Sequence, residues 1–421
     1  MPPLALPAAH FAAAWAWLFV AALWWPPAAS RLVAGDLYGP DVLAITHVLA
    51  LGVLGSAIIG AELQFVPGAL GVPLRSVRVA WGSLVAYEVG AGALVVGLRT
   101  GRVSLLIIGW IGLVLALGAA AWNILRVARR SVHGRQIGRF LVAAYVAMAG
   151  VVLLAGWRIG ARAGWWPAAH LPLVAAHAML GLAGFGTFTA FGVGSRMIPA
   201  FLGATGDDAR ALRGLVWSLG IGLAAFAGGA AWRLTTLRLV GTGLLLLAGG
   251  VGVGLLVHWL RRRWRPLDAT GWHIATAASA LALALGVGVA FVGRALMGPA
   301  IPDGAPDTTR LFAILVVVLL LGWLLTLTLG VQVKILSHLA HPWLVRGRPV
   351  SAPTLTPRDL APPRPLLVSV IAMTLGWGAL ALAVALDARA WLLLAMVAWP
   401  FGAVLHLSVP VRALLRRRTG A

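Results

Sequence analysis

The sequence predicts an all-α fold, a polytopic integral membrane protein of twelve transmembrane helices, and three observations carry that reading. Of 421 residues, 61% are hydrophobic and 10% charged, with a mean hydropathy of +0.95, far outside the range of soluble domains. Apolar runs long enough to cross roughly 30 Å of hydrocarbon, about 20 residues each, recur twelve times. The arginines gather in the short connections between those runs, where they act as topology signals. The net charge of +22 is therefore no sign of a nucleic-acid partner; the partner implied is the lipid bilayer.

Taken in order, the runs cover 8–26, 41–66, 77–98, 103–126, 138–157, 168–195, 212–232, 237–260, 271–294, 310–338, 366–387 and 389–411, separated by Arg, Pro and Gly clusters. Backbone groups inside lipid must bond within their own segment, so each run is a helix. The first thirty residues carry no Lys or Arg and lack the basic start of a secretory signal, so they read as a retained first span. Arg126, Arg129, Arg130, Arg135 and Arg139 follow span four, and Arg261, Arg262, Arg263 and Arg265 follow span eight. Arg346, Arg348, Arg358 and Arg364 follow span ten, and Arg412, Arg416, Arg417 and Arg418 follow span twelve. The even connections thus face the cytoplasm, and both termini lie there. Asp36, Asp41, Asp303 and Asp307 fall in the odd connections, although Arg158 and Arg162 lessen the contrast. The Pro-rich stretch from Arg346 to Pro365 is a surface loop rather than a domain boundary, and 1–421 forms a single transmembrane domain.

"DVLAITHVLALGVLGSAIIGAELQFVPGALG" (41–71) sets His47 in an otherwise apolar span, and "AHAMLGLAGFGTFTAFGVGSRMIPAFLGA" (176–204) repeats the pattern. His47 leads to Gly52, Gly55, Gly60 and Pro67; His177 leads to Gly181, Gly184, Gly192 and Pro199. A third copy, 319–344, lacks the histidine but places Gly330 and Lys334 where Gly192 and Arg196 sit. These copies fall on spans two, six and ten. A period of four helices implies three pseudo-equivalent arcs, roughly 8–126, 138–260 and 271–411. Spans two and six run inward in the same direction, so His47 lies about 10 Å deep and His177 about 15 Å, at 1.5 Å per residue. Both fall in the outer half of the membrane.

Twelve helices with cytoplasmic ends, histidines on repeat-equivalent helices, and the string "THVLALGVLGSAIIGAELQFVPGALGVPLRSVRVAW" (46–81) resemble the haem-copper oxidase superfamily. The likeness is to the catalytic subunits of cbb-type oxidases and nitric oxide reductases, and to shorter NnrS-type relatives. It covers the span count and three helix pairs. It implies haem b, a quinone or cytochrome electron donor, residence in a bacterial or archaeal cytoplasmic membrane, and chemistry on nitric oxide or oxygen. The departures are specific. The superfamily's complete enzymes carry a histidine pair on span ten and copper-ligating histidines on spans six and seven, whereas here span seven and the outer half of span ten have none. With no cysteine either, covalent haem attachment and thiolate metal sites are excluded, and neither copper nor terminal oxidase activity is expected. The residual expectation is a haem b protein for electron transfer or small-gas binding or reduction; the alternative is a cofactor-free transporter or assembly factor on the same fold.

His47 and His177 are the candidate axial ligands, since haem b takes two neutral imidazoles flanked by small residues; the competing reading is an interhelical hydrogen-bonding pair. Thr46 is a candidate partner for His47. His170 reads as an interfacial histidine beside Trp165 and Trp166, or as an alternative ligand. His338 and His341, three apart after Lys334, read as a headgroup-facing cluster or a metal pair, with the helix ending there. His10, His133, His258 and His273 fall near span ends or in loops, where histidine costs little, and His406 has no evident partner. Glu62 and Glu88 are candidates for proton uptake or quinone contact, or else for structural pairs with Arg75, Arg78 or Arg196. The twenty tryptophans, among them Trp24 and Trp25, suggest interfacial belts.

Overall fold

The structure, a computed structural model, describes residues 4–130, 134–167, 171–204, 208–297, 306–345 and 356–419. Among them lie twelve helices long and apolar enough to cross a membrane: α1 (Ala5–Val33), α2 (Pro40–Leu70), α3 (Val77–Thr100), α4 (Val103–Ala128), α5 (Arg135–Arg162), α6 (Pro172–Leu202), α7 (Ala209–Ala231), α8 (Thr235–Arg261), α9 (Ala269–Arg294), α10 (Asp307–His341), α11 (Pro363–Leu386) and α12 (Arg389–Val411). Large apolar side chains stand exposed around the bundle, Leu153, Val146, Leu23 and Val397 each above 60%. In water such a surface would drive aggregation; in a bilayer it is the solvated face. The chain is an integral membrane protein.

Several helices outrun their expected ends. Pro26–Pro27, Pro67 and Pro199 were expected to stop α1, α2 and α6, yet each lies inside its helix. α2 and α6 instead close at a glycine four residues past the proline. Gly71 (φ 65°) and Gly203 (φ 66°) adopt the left-handed conformation, and the next amides, Val72 and Ala204, donate to the carbonyls of Pro67 and Pro199. A left-handed residue favours glycine, so the true stop signal was the glycine.

α2, α6 and α10 each contain a π-helical stretch, Val48–Gly55, Leu180–Gly186 and Val318–Leu325. The residue after each stretch carries a hydroxyl, and the carbonyl five positions before it receives a hydroxyl bond. Thr187 donates to Leu182 O at 2.9 Å and Thr326 to Leu321 O at 2.8 Å. In α2 the corresponding Leu51 O takes the Tyr87 hydroxyl from α3 at 2.9 Å, while Ser56 is diverted to Glu88. Such wide turns recur at functional sites because they re-aim side chains.

Close glycine contacts set the helix spacing. A Cβ at Gly60 would stand 2.6 Å from His10 Cβ, at Gly192 2.6 Å from Phe140 Cβ, and at Gly330 2.3 Å from His273 Cβ. Eight residues earlier on the same three helices, Gly52, Gly184 and Gly322 meet Trp17, Ala147 and Ala280, each seven residues past the first partner. The opposed counts mark antiparallel packing of α1 on α2, α5 on α6 and α9 on α10. Gly90 against Gly109, Gly222 against Gly241, and Gly376 against Trp399 bring backbones together within the hairpins α3–α4, α7–α8 and α11–α12. The Trp25 indole donates to Ala395 O at 2.9 Å and stacks on Trp399 at 4.3 Å, so the first helix packs on the last.

Candidate functional site

His47 is the last α-helical residue before the first π stretch, and His177 lies three residues before the second. Their rings come together with centroids 6.3 Å apart and planes inclined by 29°. His47 Nδ1 is 2.8 Å from Leu43 O on its own helix, and His177 Nδ1 is 3.2 Å from Val151 O on α5. Carbonyls only accept, so these bonds place the proton on Nδ1 and the lone pair on Nε2 of both rings. Four residues past His177, a Cβ at Gly181 would make ordinary contact with Val151 Cγ2 at 3.9 Å. Arg158 on α5 acts electrostatically on both imidazoles and on Tyr38 in the connection before α2. Thr46 is not the partner of His47: its hydroxyl donates to Val42 O at 2.7 Å, on its own helix. His170 and His133 lie outside the described residues.

Glu62 is fully buried and accepts hydrogen bonds from Tyr145 Oη at 2.7 Å and Thr189 Oγ1 at 3.2 Å. It lines a cavity of about 70 Å³ between α2, α6 and α10, together with Gln332 and Thr328. Gln332, also buried, has neither amide atom hydrogen-bonded among the described residues. It stands two residues past Gly330, as Glu62 stands two past Gly60. Sequence reading missed Gln332, although the glycine register of the third copy pointed to it. Glu88 is held by Trp17 Nε1 at 2.7 Å and Ser56 Oγ at 2.6 Å. Neither carboxyl is shown with the arginines considered for it: Arg75 lies over the Trp122 ring at 4.0 Å, and Arg78 and Arg196 are exposed.

The expectation that the tenth span ends at His338 is corrected, since the span reaches His341 and its helical backbone runs on to Val345. His338 is exposed and its Nδ1 bonds Lys334 O at 2.8 Å, while Lys334 pairs with Asp268 at 2.5 Å. Among the described residues no three His, Cys, Asp or Glu are grouped to hold a metal ion. His10 and His273 were expected where histidine costs little, but both are buried, His10 beneath α2 and His273 beneath α10. His406, expected without a partner, has its ring centre 6.0 Å from that of His273. The next helix in the chain covers each of His10 and His273, and α12 meets α9 at His406, so a position near the end of a span did not reveal its burial. No protein-family model matches the chain, and no curated protein matches it.

Proposed function

We propose that this chain is a haem b-binding membrane protein of haem-copper oxidase ancestry, with His47 and His177 as axial ligands. The observation that carries the reading is the 6.3 Å separation of the two rings. Iron–nitrogen bonds of about 2 Å, with about 1.1 Å from each nitrogen to its ring centre, put bis-imidazole centroids roughly 6 Å apart. The two Nδ1–carbonyl bonds fix the tautomer a metal needs. The same proposal includes three arcs of four helices with both ends cytoplasmic. The thrice-repeated glycine contacts and the arginine-rich even connections support it.

Bound between those imidazoles, haem b supplies one-electron chemistry and, with one imidazole released, a gas-binding position. The chain's own residues hold the two rings, keep the proton on Nδ1, and place the Arg158 cation nearby. Glu62 presents a buried carboxyl to a cavity with room for about five waters, a place to hold a proton taken up from the inner side. Quinone or cytochrome is the class of donor proposed.

The test is an optical spectrum of the full chain purified from haem-supplied cells. A Soret band with low-spin features is expected in the wild type, with loss of those features in His47→Ala and in His177→Ala. No Soret band, or a band indifferent to both substitutions, overturns the assignment.

One observation favours the second reading, a transporter. A largely apolar cavity that holds the Glu62 carboxyl and the Gln332 amide lies between three helices that are all interrupted by π turns, the kind of setting in which transporters place a central site. Transport is favoured if Glu62 proves essential while both histidines can be replaced without loss.

A further inference from the structure

α9 and α12 form a second histidine pair that the haem reading does not use. His273 and His406 are 2% and 1% exposed, with ring centres 6.0 Å apart and planes at 72°. His273 Nδ1 bonds Ala269 O at 2.8 Å, which leaves its Nε2 as the lone-pair nitrogen. That Nε2, and both ring nitrogens of His406, have no hydrogen-bond partner among the described residues. A buried polar atom left unsatisfied costs about 1–3 kcal/mol, and a ligand shared by the two rings would satisfy one nitrogen of each.

We infer that His273 and His406 form a two-coordinate site for a monovalent soft cation, Cu(I). The two rings are close enough to be bridged by a single ion with metal–nitrogen bonds of about 2 Å. Among the described residues no third His, Cys, Asp or Glu is grouped there, so two imidazoles make a donor set too poor for tetrahedral Zn(II) and without the carboxylates that Ca²⁺ or Mg²⁺ sites use. Imidazole suits copper, and Cu(I) keeps a single charge in a low-dielectric interior, whereas a dication with two neutral ligands carries a far larger desolvation cost. Neutral imidazoles bind it without releasing a proton. A cavity of about 300 Å³, lined by Asp268, Ala269, Thr270 and Lys334, reaches the first turn of α9, where Ala269 O receives the His273 bond. Copper was not expected from the sequence, which lacks the ligand set of a haem-copper centre on spans six and seven; this pair lies on the ninth and twelfth spans and departs from that expectation.

The test is anaerobic titration of the full-length protein in detergent with Cu(I) in competition with bicinchoninate. One Cu(I) per chain is expected, with affinity lowered at least 100-fold in His406→Leu and in His273→Ala. Cu(I) is expected to raise the unfolding temperature of the wild type and of the double variant His47→Ala/His177→Ala, but not that of His406→Leu. That double variant separates this site from the haem reading. The copper K-edge spectrum of the wild type, which needs no variant, is expected to show two nitrogen neighbours. Failure to retain Cu(I) against the competitor, equal retention by His406→Leu, or Zn(II) bound as tightly as Cu(I) overturns the assignment. So does a second haem spectrum lost on His406→Leu, which would give the pair to a porphyrin.

Discussion

Gly330 lies so close to His273 that a Cβ at position 330 would stand 2.3 Å from the histidine's own Cβ, a separation that two side chains cannot share. The contact clamps α10 onto α9, and Gly60 on His10 and Gly192 on Phe140 repeat it. Leucine at any of the three is expected to force the helix pair apart, destabilising the fold by roughly 1–3 kcal/mol or more. Gly118, Gly250 and Gly286 meet nothing within 4 Å, so alanine there is expected to be neutral or stabilising by up to about 1 kcal/mol. Thermal unfolding in detergent checks both halves. Equal effects in the two groups would remove the close-packing account.

The two glycine caps are expected to differ. Alanine at Gly71 meets no atom within 4 Å and should cost only its left-handed backbone, about 1 kcal/mol. Alanine at Gly203 bears the same backbone cost and also meets Trp264 Nε1 at 2.6 Å, so it should lower the unfolding temperature further. A Gly203→Ala protein as stable as Gly71→Ala would contradict the Trp264 contact.

Tyr145 supplies the shorter of the two hydrogen bonds to Glu62. Tyr145→Phe is expected to destabilise by about 1–3 kcal/mol, because the buried carboxyl loses the shorter of its two hydrogen bonds. Glu62→Gln, which keeps one oxygen as acceptor for one hydroxyl and can donate its amide N–H to the oxygen of the other, should cost less. Unfolding measurements on the two variants give the order, and a Tyr145→Phe protein indistinguishable from wild type would show that the bond contributes nothing.

Arg158 provides a test that rests on the haem reading. A cation near the ligand pair favours the reduced state, so Arg158→Gln should lower the haem midpoint potential, by on the order of tens of mV at an effective dielectric of about 20. Arg158→Lys, which keeps the charge, should restore most of the shift. Redox titration followed in the Soret region reads it, and an unchanged potential in Arg158→Gln would place the guanidinium outside the site's field.

Class and span count were legible because each depends on local composition: a run of apolar residues is a membrane helix wherever it later packs. The pairing of His47 with His177 was legible as well, since the repeat carried their equivalence. Helix ends were misread where a proline was taken as the stop, because inside lipid the helix continues until a glycine can turn left-handed. The π stretches escaped notice, although the dipeptides Gly55–Ser56 and Gly186–Thr187 marked the hydroxyl after two of them.

The sequence by itself determined an all-α membrane chain of twelve spans and the level at which two histidines sit. Only the tertiary structure decided that Glu62 is held by Tyr145 and Thr189 rather than by an arginine, that Gln332 faces the same cavity, and that His273 meets His406. Hydropathy and period report what each helix requires of lipid, which is local. Partners 83, 127 and 133 residues apart are chosen by which helix faces pack together, and the close glycine contacts that join consecutive helices do not by themselves say which distant helices meet.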